Sequence, residues 1–248
     1  MSKNSQSNSY IEIMREGGLK LRQIKVDLQE AVKVGSSFES IEQHAQSLIA
    51  KAGGQPNFAM VPDYHWATCI MKNAELCHGI PKHKYVDDGD VITIDVGMLY
   101  KGWHLDTSIS FGVGDISEEA ETFLQVGKQS LKKSIGKARV GNSIYEVSSA
   151  MQRVVERAGY SAAYQLTGHG IGKELHMEPS IPCIADRGDK RIHLKEGQTV
   201  AIEIMYAAGD ATVVLDKDGW TYRTKDGSLS AMFEETVLVT ANGPEILT

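Results

Sequence analysis

The strongest constraint on the fold is an internal repeat: the second half of this 248-residue chain follows the sequence pattern of the first half. Gly35 aligns with Gly141, a shift of 106 positions, and each glycine precedes a helical pattern. Further along, Asp95 aligns with Glu203, a shift of 108 positions, and each acid follows a run of apolar and β-branched residues. Two copies of one ordered pattern indicate two pseudo-symmetric halves rather than a solenoid, which needs more copies.

Helical and strand patterns follow one another in the same order in both halves. Apolar spacing predicts helices over residues 11–34, 36–52, 117–138 and 143–159. Apolar and β-branched runs predict strands over residues 91–96, 104–111, 199–206, 211–216, 220–224 and 233–240. Ser36 with Glu39, and Ser143 with Glu146, have the spacing of capping boxes at two helix starts. A turn is predicted over residues 98–102.

These patterns predict an α+β fold in a single domain over residues 11–248, with halves of about 11–115 and 116–248. Residues 1–10 are polar and lack the apolar core of a secretory signal, so they are expected to form a short flexible leader.

Composition argues against several kinds of partner. A net charge of −6 disfavours nucleic acid and acidic membranes, which attract cationic surfaces. No apolar run approaches the roughly 20 residues that a membrane helix needs. The three cysteines, Cys69, Cys77 and Cys183, form no C-x-x-C pair, which is typical of reduced thiols in a cytoplasmic protein.

Two histidines stand in a glycine-rich stretch of the second half. His169 and His176 are seven positions apart, whereas two metal ligands on one helical face stand four apart. Glycines on both sides of His169 predict a bent backbone rather than a helix. The two rings are therefore expected to have different roles, although a glycine-flanked histidine is also a common polar residue of turns.

Four acids lie in or beside predicted strands, and with one histidine they form a candidate metal-ligand set. We call these residues the candidate ligand set: Asp95, Asp106, His169, Glu203 and Glu234. Half-buried carboxylates repel one another unless a cation neutralises them. Carboxylates mixed with imidazole suit Mn, Fe, Co or Zn, and two bridged ions would use all four acids. The alternative is that each acid ends a strand and faces water.

Several motifs in one order resemble methionine aminopeptidases of the bacterial type I form. They are residues 73–81 (Asn-Ala-Glu-Leu-Cys-His-Gly-Ile-Pro), 95–97 (Asp-Val-Gly), 102–107 (Gly-Trp-His-Leu-Asp-Thr), 167–172 (Thr-Gly-His-Gly-Ile-Gly), 176–179 (His-Met-Glu-Pro), 202–203 (Ile-Glu) and 233–236 (Phe-Glu-Glu-Thr). The resemblance extends from about residue 11 to the end of the chain. It implies the pita-bread fold, in which two pseudo-symmetric halves form a curved antiparallel sheet covered by helices.

The resemblance also implies a dinuclear site for two divalent ions (Co, Mn, Fe or Zn). In this interpretation Asp95 binds one ion, Asp106 and Glu234 bridge both, and His169 with Glu203 completes the second. Glu235 directly follows Glu234, and we choose Glu234 because it occupies the family's ligand position.

The implied reaction is removal of an N-terminal methionine. A hydroxide that bridges the ions attacks the first peptide bond, with Glu203 as the base. His176 donates to the carbonyl oxygen, and His78 holds the scissile amide or the following residue. His78 also precedes a turn, so solvation alone is the alternative for this residue. For the remaining histidines we expect surface or supporting roles: His44, His65, His83, His104 and His193.

An apolar pocket for the methionine side chain is implied by the same resemblance. Its walls are Tyr64, Cys69, Leu175 and Trp220, with Phe58 beside them. Apolar and aromatic walls suit a polarisable thioether. Without the resemblance, ordinary core residues would be the favoured interpretation.

Two positions depart from the family pattern. Ile204 follows Glu203 where the family usually has proline, which frees the Glu203 backbone slightly. Leu105 replaces a glycine before Asp106, and we expect it to narrow the space beside that acid. Residues 1–10 contain no cysteine, so docking to the ribosome through a cysteine-rich zinc extension is not expected.

The implied partners are N-terminal methionine peptides and nascent chains near the ribosome, with the protein acting as a monomer in the cytoplasm. Two alternatives stay open from the sequence. One is an Xaa-Pro peptidase of the same fold, although such enzymes usually carry an extra N-terminal domain. The other is a relative that only binds peptides, although such relatives usually lack some of the ligands.

The candidate ligand set generates the first prediction. His169→Ala and Asp106→Asn are each expected to lower metal content and peptidase activity together, because each removes one metal-binding atom. Elemental analysis and a peptide assay on the same preparations measure both quantities. Full activity in either variant would remove that residue from the site, and His44→Ala is the control.

Overall fold

The computed structural model describes residues 3–248 of the chain, and the side chains of residues 9–248. Within these residues the helices are α1 (Lys3–Ala31), α2 (Phe38–Ala52), α3 (Glu118–Ile135) and α4 (Ile144–Arg157). The strands are β1 (Gln55–Pro56), β2 (Thr68–Lys72), β3 (Glu75–Cys77), β4 (Val91–Tyr100), β5 (Trp103–Gly112), β6 (Ser161–Ala162), β7 (Thr167–Gly170), β8 (Met177–Pro182), β9 (Thr199–Ala207), β10 (Val213–Leu215), β11 (Tyr222–Thr224), β12 (Ser230–Thr240) and β13 (Gly243–Ile246). Short 3₁₀ helices cover Phe58–Met60 and Arg187–Arg191.

One large antiparallel sheet runs through both halves. Its strands follow the order β1-β4-β5-β12-β9-β7-β8, while β2 pairs with β4, β6 with β9 and β13 with β12. The strands that the repeat relates, β4 with β9 and β5 with β12, therefore lie symmetrically about the β5–β12 boundary. This order confirms the predicted pseudo-symmetry, while the division into a single domain over residues 11–248 stays a prediction. A second sheet, in the order β10-β11-β3, lies beside it.

Helices cover one face of the large sheet over two hydrophobic cores. In the first core, residues of α1 and α2 pack on β4 and β5: Met14, Leu21, Leu28, Phe38, Ile49, Ile94 and Leu105. In the second core, residues of α3 and α4 pack on β9 and β12: Phe123, Leu131, Met151, Ile202, Ile204 and Phe233. Each fully buried side chain of this size contributes about 1.5–3 kcal/mol. The α+β class is confirmed.

Local sequence signals explain several of the element boundaries. The capping box at Ser143 and Glu146 is present at the start of α4. The box predicted at Ser36 is wrong, because Ser37 caps α2 by accepting a hydrogen bond from the Ser40 amide. Glu39 instead accepts a hydrogen bond from the distant His83 amide, at 2.6 Å, so a tertiary partner replaces the local one.

The predicted turn over residues 98–102 is shorter in the structure. Strand β4 continues to Tyr100, and only Lys101 and Gly102 form the turn, with φ angles of 47° and 80°. Positive φ at both central residues is the geometry of the tight hairpin turn that matches strand twist. The longer strands that result carry the two acids of the first half.

The predicted leader, residues 1–10, differs from the structure, in which residues 3–10 belong to α1. Tyr10 stacks on Trp103 with 4.8 Å between ring centroids and donates a hydrogen bond to the Gly197 carbonyl. These distant contacts stabilise a segment that lacks apolar periodicity of its own. Met1 and Ser2 lie outside the described residues. Among the helices of residues 3–248, none combines the length and apolar character needed to cross a membrane.

The close packing of α3 on the sheet generates the second prediction. A Cβ added at Gly127 would lie 2.4 Å from the Phe233 ring and 2.5 Å from the Tyr206 hydroxyl. Gly127→Ala is expected to destabilise the fold by about 1–3 kcal/mol, because overpacking outweighs the gain in helix propensity. Urea unfolding of the metal-free protein measures this loss.

The matched control is Gly136→Ala at the end of the same helix. A Cβ there meets nothing closer than 3.5 Å, and the residue already has helical dihedral angles. The free energy of unfolding of the Gly136→Ala variant is expected to stay within about 1 kcal/mol of that of the parent chain. Equal losses in both variants would contradict the packing explanation.

Candidate active site

Strand register brings three of the acids into one row across the centre of the sheet. Asp95 on β4 lies opposite Ser108 on β5, and Ser108 lies opposite Glu234 on β12. Glu234 in turn lies opposite Glu203 on β9. Directly opposed residues share a face of the sheet, so the row places the three carboxylates on that face.

The remaining members of the candidate ligand set join the same face. Asp106 stands two positions before Ser108, and the side-chain period of a strand is two. His169 on β7 lies opposite Ala201, which stands two positions before Glu203. The sequence-predicted set is thus assembled from five adjacent strands, β4, β5, β12, β9 and β7.

The side chains of the set are close together and largely buried. Oxygens of Asp106 and Glu234 and a ring nitrogen of His169 all lie within 4.8 Å of one another. The His169 Nε2 is 4.0 Å from Glu203 Oε1. All four acids are buried, with Asp95 and Glu203 the most exposed at 7%.

Burial shifts the protonation of every member of the set. It raises the pKa of Asp95 from 3.8 to about 7. It also raises the pKa values of Asp106, Glu203 and Glu234 well above their ordinary range, with the neighbouring carboxylates as a further cause. Burial, with the nearby His176, lowers the pKa of His169 to about 4. Without a cation the acids thus favour their protonated forms, and His169 is neutral at pH 7.

These residues fit a divalent metal ion by an independent criterion. Within the described part of the chain, three buried oxygens of the row have no hydrogen-bond partner: Asp95 Oδ1, Ser108 Oγ and Glu234 Oε1. Buried polar atoms normally have a partner, and a cation would supply one. The His169 Nδ1 lies 3.0 Å from the Gly170 carbonyl, an arrangement that leaves Nε2 free to bind a metal.

A cavity of about 440 Å³ opens over the set. It is lined by all of the residues that the sequence predicted for catalysis, metal binding and substrate binding: Phe58, Tyr64, Cys69, His78, Asp95, Asp106, His169, Leu175, His176, Glu203, Trp220 and Glu234. Cys77, expected from the sequence to be a small pocket or core residue, also lines the cavity, and sequence reasoning missed further lining residues: Val61, Gln165, Leu166, Thr167, Met205 and Met232. Met205 and Met232 stand two positions from Glu203 and Glu234, so strand periodicity could have identified them.

The apolar wall of the cavity is a packed aromatic group. The ring of Tyr64 makes edge contacts with Trp66 and Trp220, at 5.1 and 5.0 Å between centroids. Its hydroxyl donates to the Thr68 carbonyl at 2.8 Å, so the ring is fixed at the start of β2. Cys69 lies opposite Asp95, which places this wall beside the acids. Burial raises the pKa of the Cys69 thiol, so it is not a nucleophile.

Two more histidines reach the cavity from outside the large sheet's central strands. His78 follows β3 and has a φ of 54°, an uncommon conformation for a non-glycine residue. Its ring contacts that of Tyr222 on β11 at 5.9 Å, so the small sheet positions it. The rings of His176 and His169 meet edge to face at 4.5 Å. Burial lowers the pKa of both His78 and His176.

Strand alternation also settles where the ambiguous positions point. Glu235 lies opposite Thr107 and bonds Lys25 on the helix-covered side, so Glu234 rather than Glu235 enters the cavity. Leu105 and Ile204 belong to the cores beneath the helices. Leu105 therefore does not narrow the space beside the acid that follows it, contrary to the expectation above. Ile204 keeps its side chain away from the substrate cavity.

A buried carboxylate–imidazole set in a deep cavity, on a sheet of two pseudo-symmetric halves, defines a metal-dependent hydrolase. The sequence profile of metallopeptidase family M24 matches residues 12–241. The chain belongs to this family, within its methionine aminopeptidase group, and divalent metal use follows from that membership.

Individual relatives agree with this placement. The methionine aminopeptidase of Clostridium perfringens is 38% identical over 244 residues, which cover 98% of this chain and 97% of the relative. The crystal structure of methionine aminopeptidase from Thermotoga maritima superposes with a TM-score of 0.94 at 35% identity, covering 97% of this chain and 96% of that one. Prolidase from Pyrococcus furiosus shares the fold, with a TM-score of 0.78 at 24% identity over 97% of this chain and 64% of that one.

The raised carboxyl pKa values generate the third prediction. Between pH 3.8 and about 7 the folded metal-free protein keeps a proton on Asp95 that the unfolded chain has released. Asp95 alone is therefore expected to lower the stability of the metal-free protein by on the order of 4 kcal/mol as pH rises through this window. The raised pKa values of Asp106, Glu203 and Glu234 act in the same direction.

Urea unfolding of chelator-treated protein across the window measures the fall. Asp95→Asn cannot ionise and is the control, with a flatter profile expected. At neutral pH, adding Mn²⁺ or Co²⁺ to the parent chain is expected to restore stability, because ions bind the folded carboxylates. A profile in the parent chain as flat as that of the variant would contradict this explanation.

Proposed function

We propose that this chain removes the N-terminal methionine from peptides and nascent proteins, using a dinuclear metal site. The observation that carries the proposal is the convergence of the whole candidate ligand set and an apolar aromatic wall on one cavity. The methionine aminopeptidase relatives agree with this activity over nearly the full chain.

The candidate ligand set would hold two divalent ions (Co, Mn, Fe or Zn). By the family resemblance, Asp95 would bind one ion, His169 with Glu203 would complete the second, and Asp106 and Glu234 would serve both. The places of Asp106 and Glu234 on the two central strands of the sheet are compatible with this division. Bound ions supply Lewis acidity, which activates water near neutral pH and polarises a carbonyl group.

Three protein groups handle protons and orient the scissile bond. Glu203 accepts the proton of the attacking water and returns it to the leaving amine. His176, a neutral imidazole at the cavity wall, donates a hydrogen bond to the carbonyl oxygen as negative charge develops there. His78 faces the same cavity from the small sheet and holds the scissile amide or the residue after it.

The cavity chemistry also accounts for the choice of an N-terminal methionine. The thioether packs against the aromatic wall of Tyr64 and Trp220, with Cys69, Leu175 and Phe58 beside it. A free α-amine, which only the first residue of a chain carries, would bind one of the divalent ions held by the candidate ligand set. Internal methionines are thus excluded by the absence of that amine.

The cysteines and the net charge of the chain support action in the cytoplasm. Three free, buried thiols are typical of the reducing cytoplasm, where nascent chains emerge from the ribosome. The negative net charge disfavours direct contact with nucleic acid or an acidic membrane. One chain supplies the entire ligand set, so a monomer is sufficient for activity.

The fourth prediction tests the substrate class. A Met-Ala-Ser peptide is expected to release free methionine in the presence of Mn²⁺ or Co²⁺, and chelation is expected to abolish release until metal is restored. An Xaa-Pro peptide, the substrate of the fold relative, is expected to remain intact in the same assay. Liquid chromatography of the products measures both reactions.

The outcomes separate the alternatives. Preferential cleavage of the Xaa-Pro peptide would favour a proline-specific peptidase, to which the shared fold also corresponds. Tight binding of the methionine peptide by metal-replete protein without any release would favour a peptide-binding relative. An N-acetylated Met-Ala-Ser peptide is the matched control, because it lacks the free amine and should not be cleaved.

A further inference from the structure

The boundary between the two halves, β5 against β12, is held by an unusually short backbone ladder. Only two residue pairs join these strands, Ser108 with Glu234 and Thr107 with Glu235. The flanking hairpin β4–β5 pairs from Val91 to Tyr100, and β9–β12 pairs over the whole of 230–238. We call the β5–β12 boundary the seam. It has the fewest ladder pairs of the central strands, and it carries the two acids proposed to bridge the metals.

Side-chain hydroxyls extend the seam at both ends of the short ladder. Thr236 Oγ1 accepts a hydrogen bond from the Asp106 amide at 3.0 Å and donates to the Asp106 carbonyl at 2.8 Å. Ser110 Oγ accepts from the Met232 amide at 3.0 Å and donates to the Met232 carbonyl at 2.8 Å. In each case one side-chain hydroxyl bonds both the N–H and the C=O of a residue on the other strand. In a regular antiparallel ladder, backbone groups of the neighbouring strand would make these two bonds.

A buried ion pair closes the seam on the helix-covered side. The Lys25 ammonium on α1 donates to Glu235 Oε1 at 2.7 Å and to Thr107 Oγ1 at 2.8 Å. The Thr107 hydroxyl donates in turn to the Glu234 carbonyl at 2.9 Å. The Thr248 hydroxyl donates to Glu235 Oε2 at 2.9 Å. One ammonium thus bonds side chains from both strands of the seam, directly behind the proposed bridging acids.

Stability alone does not explain this pair. Lys25 is 8% exposed, and neither Lys25 nor Glu235 reaches the cavity. Apolar residues of similar volume often replace buried ion pairs at no cost in stability, because removing two charges from water is expensive. A fixed geometry is the better explanation, since a charged pair with several hydrogen bonds permits one arrangement of the groups it joins.

The geometry that needs fixing lies on the cavity side of the same strands. Asp106 and Glu234 repel each other when ionised, and this repulsion acts to separate β5 from β12 at their two-pair ladder. We propose that Lys25 and Glu235 are positioning residues for the metal centre: their ion pair, with Thr107, holds β5 against β12 and so sets the separation of the Asp106 and Glu234 carboxylates. This inference rests on the proposed bridging roles of those two acids.

The test is titration of Co²⁺ into metal-free protein, followed by calorimetry and by the visible d–d spectrum, which reports ligand geometry. Lys25→Met and Glu235→Gln are expected to weaken the binding of the lower-affinity Co²⁺ by roughly 10–100-fold, the usual effect of losing a group that orients a metal ligand. The d–d spectrum of bound Co²⁺ is expected to change in the same two variants. Lys25→Arg keeps the positive charge, so its Co²⁺ affinity and its d–d spectrum are expected to be close to those of the parent chain.

Two further variants separate positioning from general stability. Arg15→Met breaks the bidentate pair of Arg15 with Glu245, which also joins α1 to the C-terminal region but is partly exposed and lies ten positions before Lys25 on α1. It is expected to keep the parent Co²⁺ affinities and spectrum even where its melting temperature falls. The double variant Lys25→Met/Glu235→Met leaves no unpaired buried charge, so it provides a folded test if either single variant does not fold.

The outcomes are distinct for the two proposals. Parent Co²⁺ affinities and an unchanged spectrum in the folded Lys25 and Glu235 variants would overturn the positioning role. An identical change in Arg15→Met would also overturn it, because the effect would then follow from stability. A parent chain that binds fewer than two Co²⁺ would contradict the dinuclear site, while the comparison of affinity and spectrum for the bound ion would still decide the positioning role.

Discussion

Electrostatic repulsion among buried carboxylates is the constraint on which the rest of this structure depends. The acids of the row come from β4, β9 and β12, and Asp106 on β5 adds a fourth beside them, all facing one cavity. Burial raises their pKa values, and the neighbouring carboxylates add to this effect at Glu234, so the acids favour their protonated forms in the absence of a cation. A cation that neutralises the group therefore supplies both the chemistry and part of the folding free energy of the sheet centre. The unpartnered oxygens of the row are consistent with this dependence on a cation.

The pseudo-symmetry explains why the site lies where it does. Each half contributes one acid from each of its two long strands, and neither half alone assembles the full set. The repeat-related strands β5 and β12 meet at the centre of the sheet, so the proposed bridging acids come from opposite halves. His169 breaks the symmetry. In the first half β2 pairs with β4 as β7 pairs with β9, and Met71 of β2 lies opposite Thr93 as His169 lies opposite Ala201. Strand β2 therefore supplies no imidazole, and it presents Cys69 to the cavity. One half thereby supplies an imidazole, and the other supplies part of the apolar wall.

Much of this arrangement could be predicted from the sequence, because its signals are periodic or local. Long apolar strands, the capping box of α4 and the repeat itself fixed the elements and their order. The family resemblance supplied the roles of His78 and His176, which no periodicity indicates. The missed features depend on distant partners: Glu39 bonds a remote amide, and residues 3–10 are helical beside Trp103. Strands β7 and β8 are short and rich in glycine or proline, so their residues carry weak strand signals.

The register of β12 determines which of the adjacent acids, Glu234 or Glu235, faces the cavity. Because a strand alternates its faces, a one-residue slip of β12 would exchange the two glutamates, and either one could in principle face the metals. The neighbours make the two registers unequal. The observed register packs Phe233 against α3 beneath the helices and turns Met232 into the cavity, whereas the slipped register would expose the phenylalanine to the carboxylates. It would also place a different side chain opposite Lys25. The packing of Phe233 and the ion pair of Glu235 with Lys25, both on the helix-covered side, therefore select the same register, and that register turns Glu234, the proposed metal ligand, into the cavity.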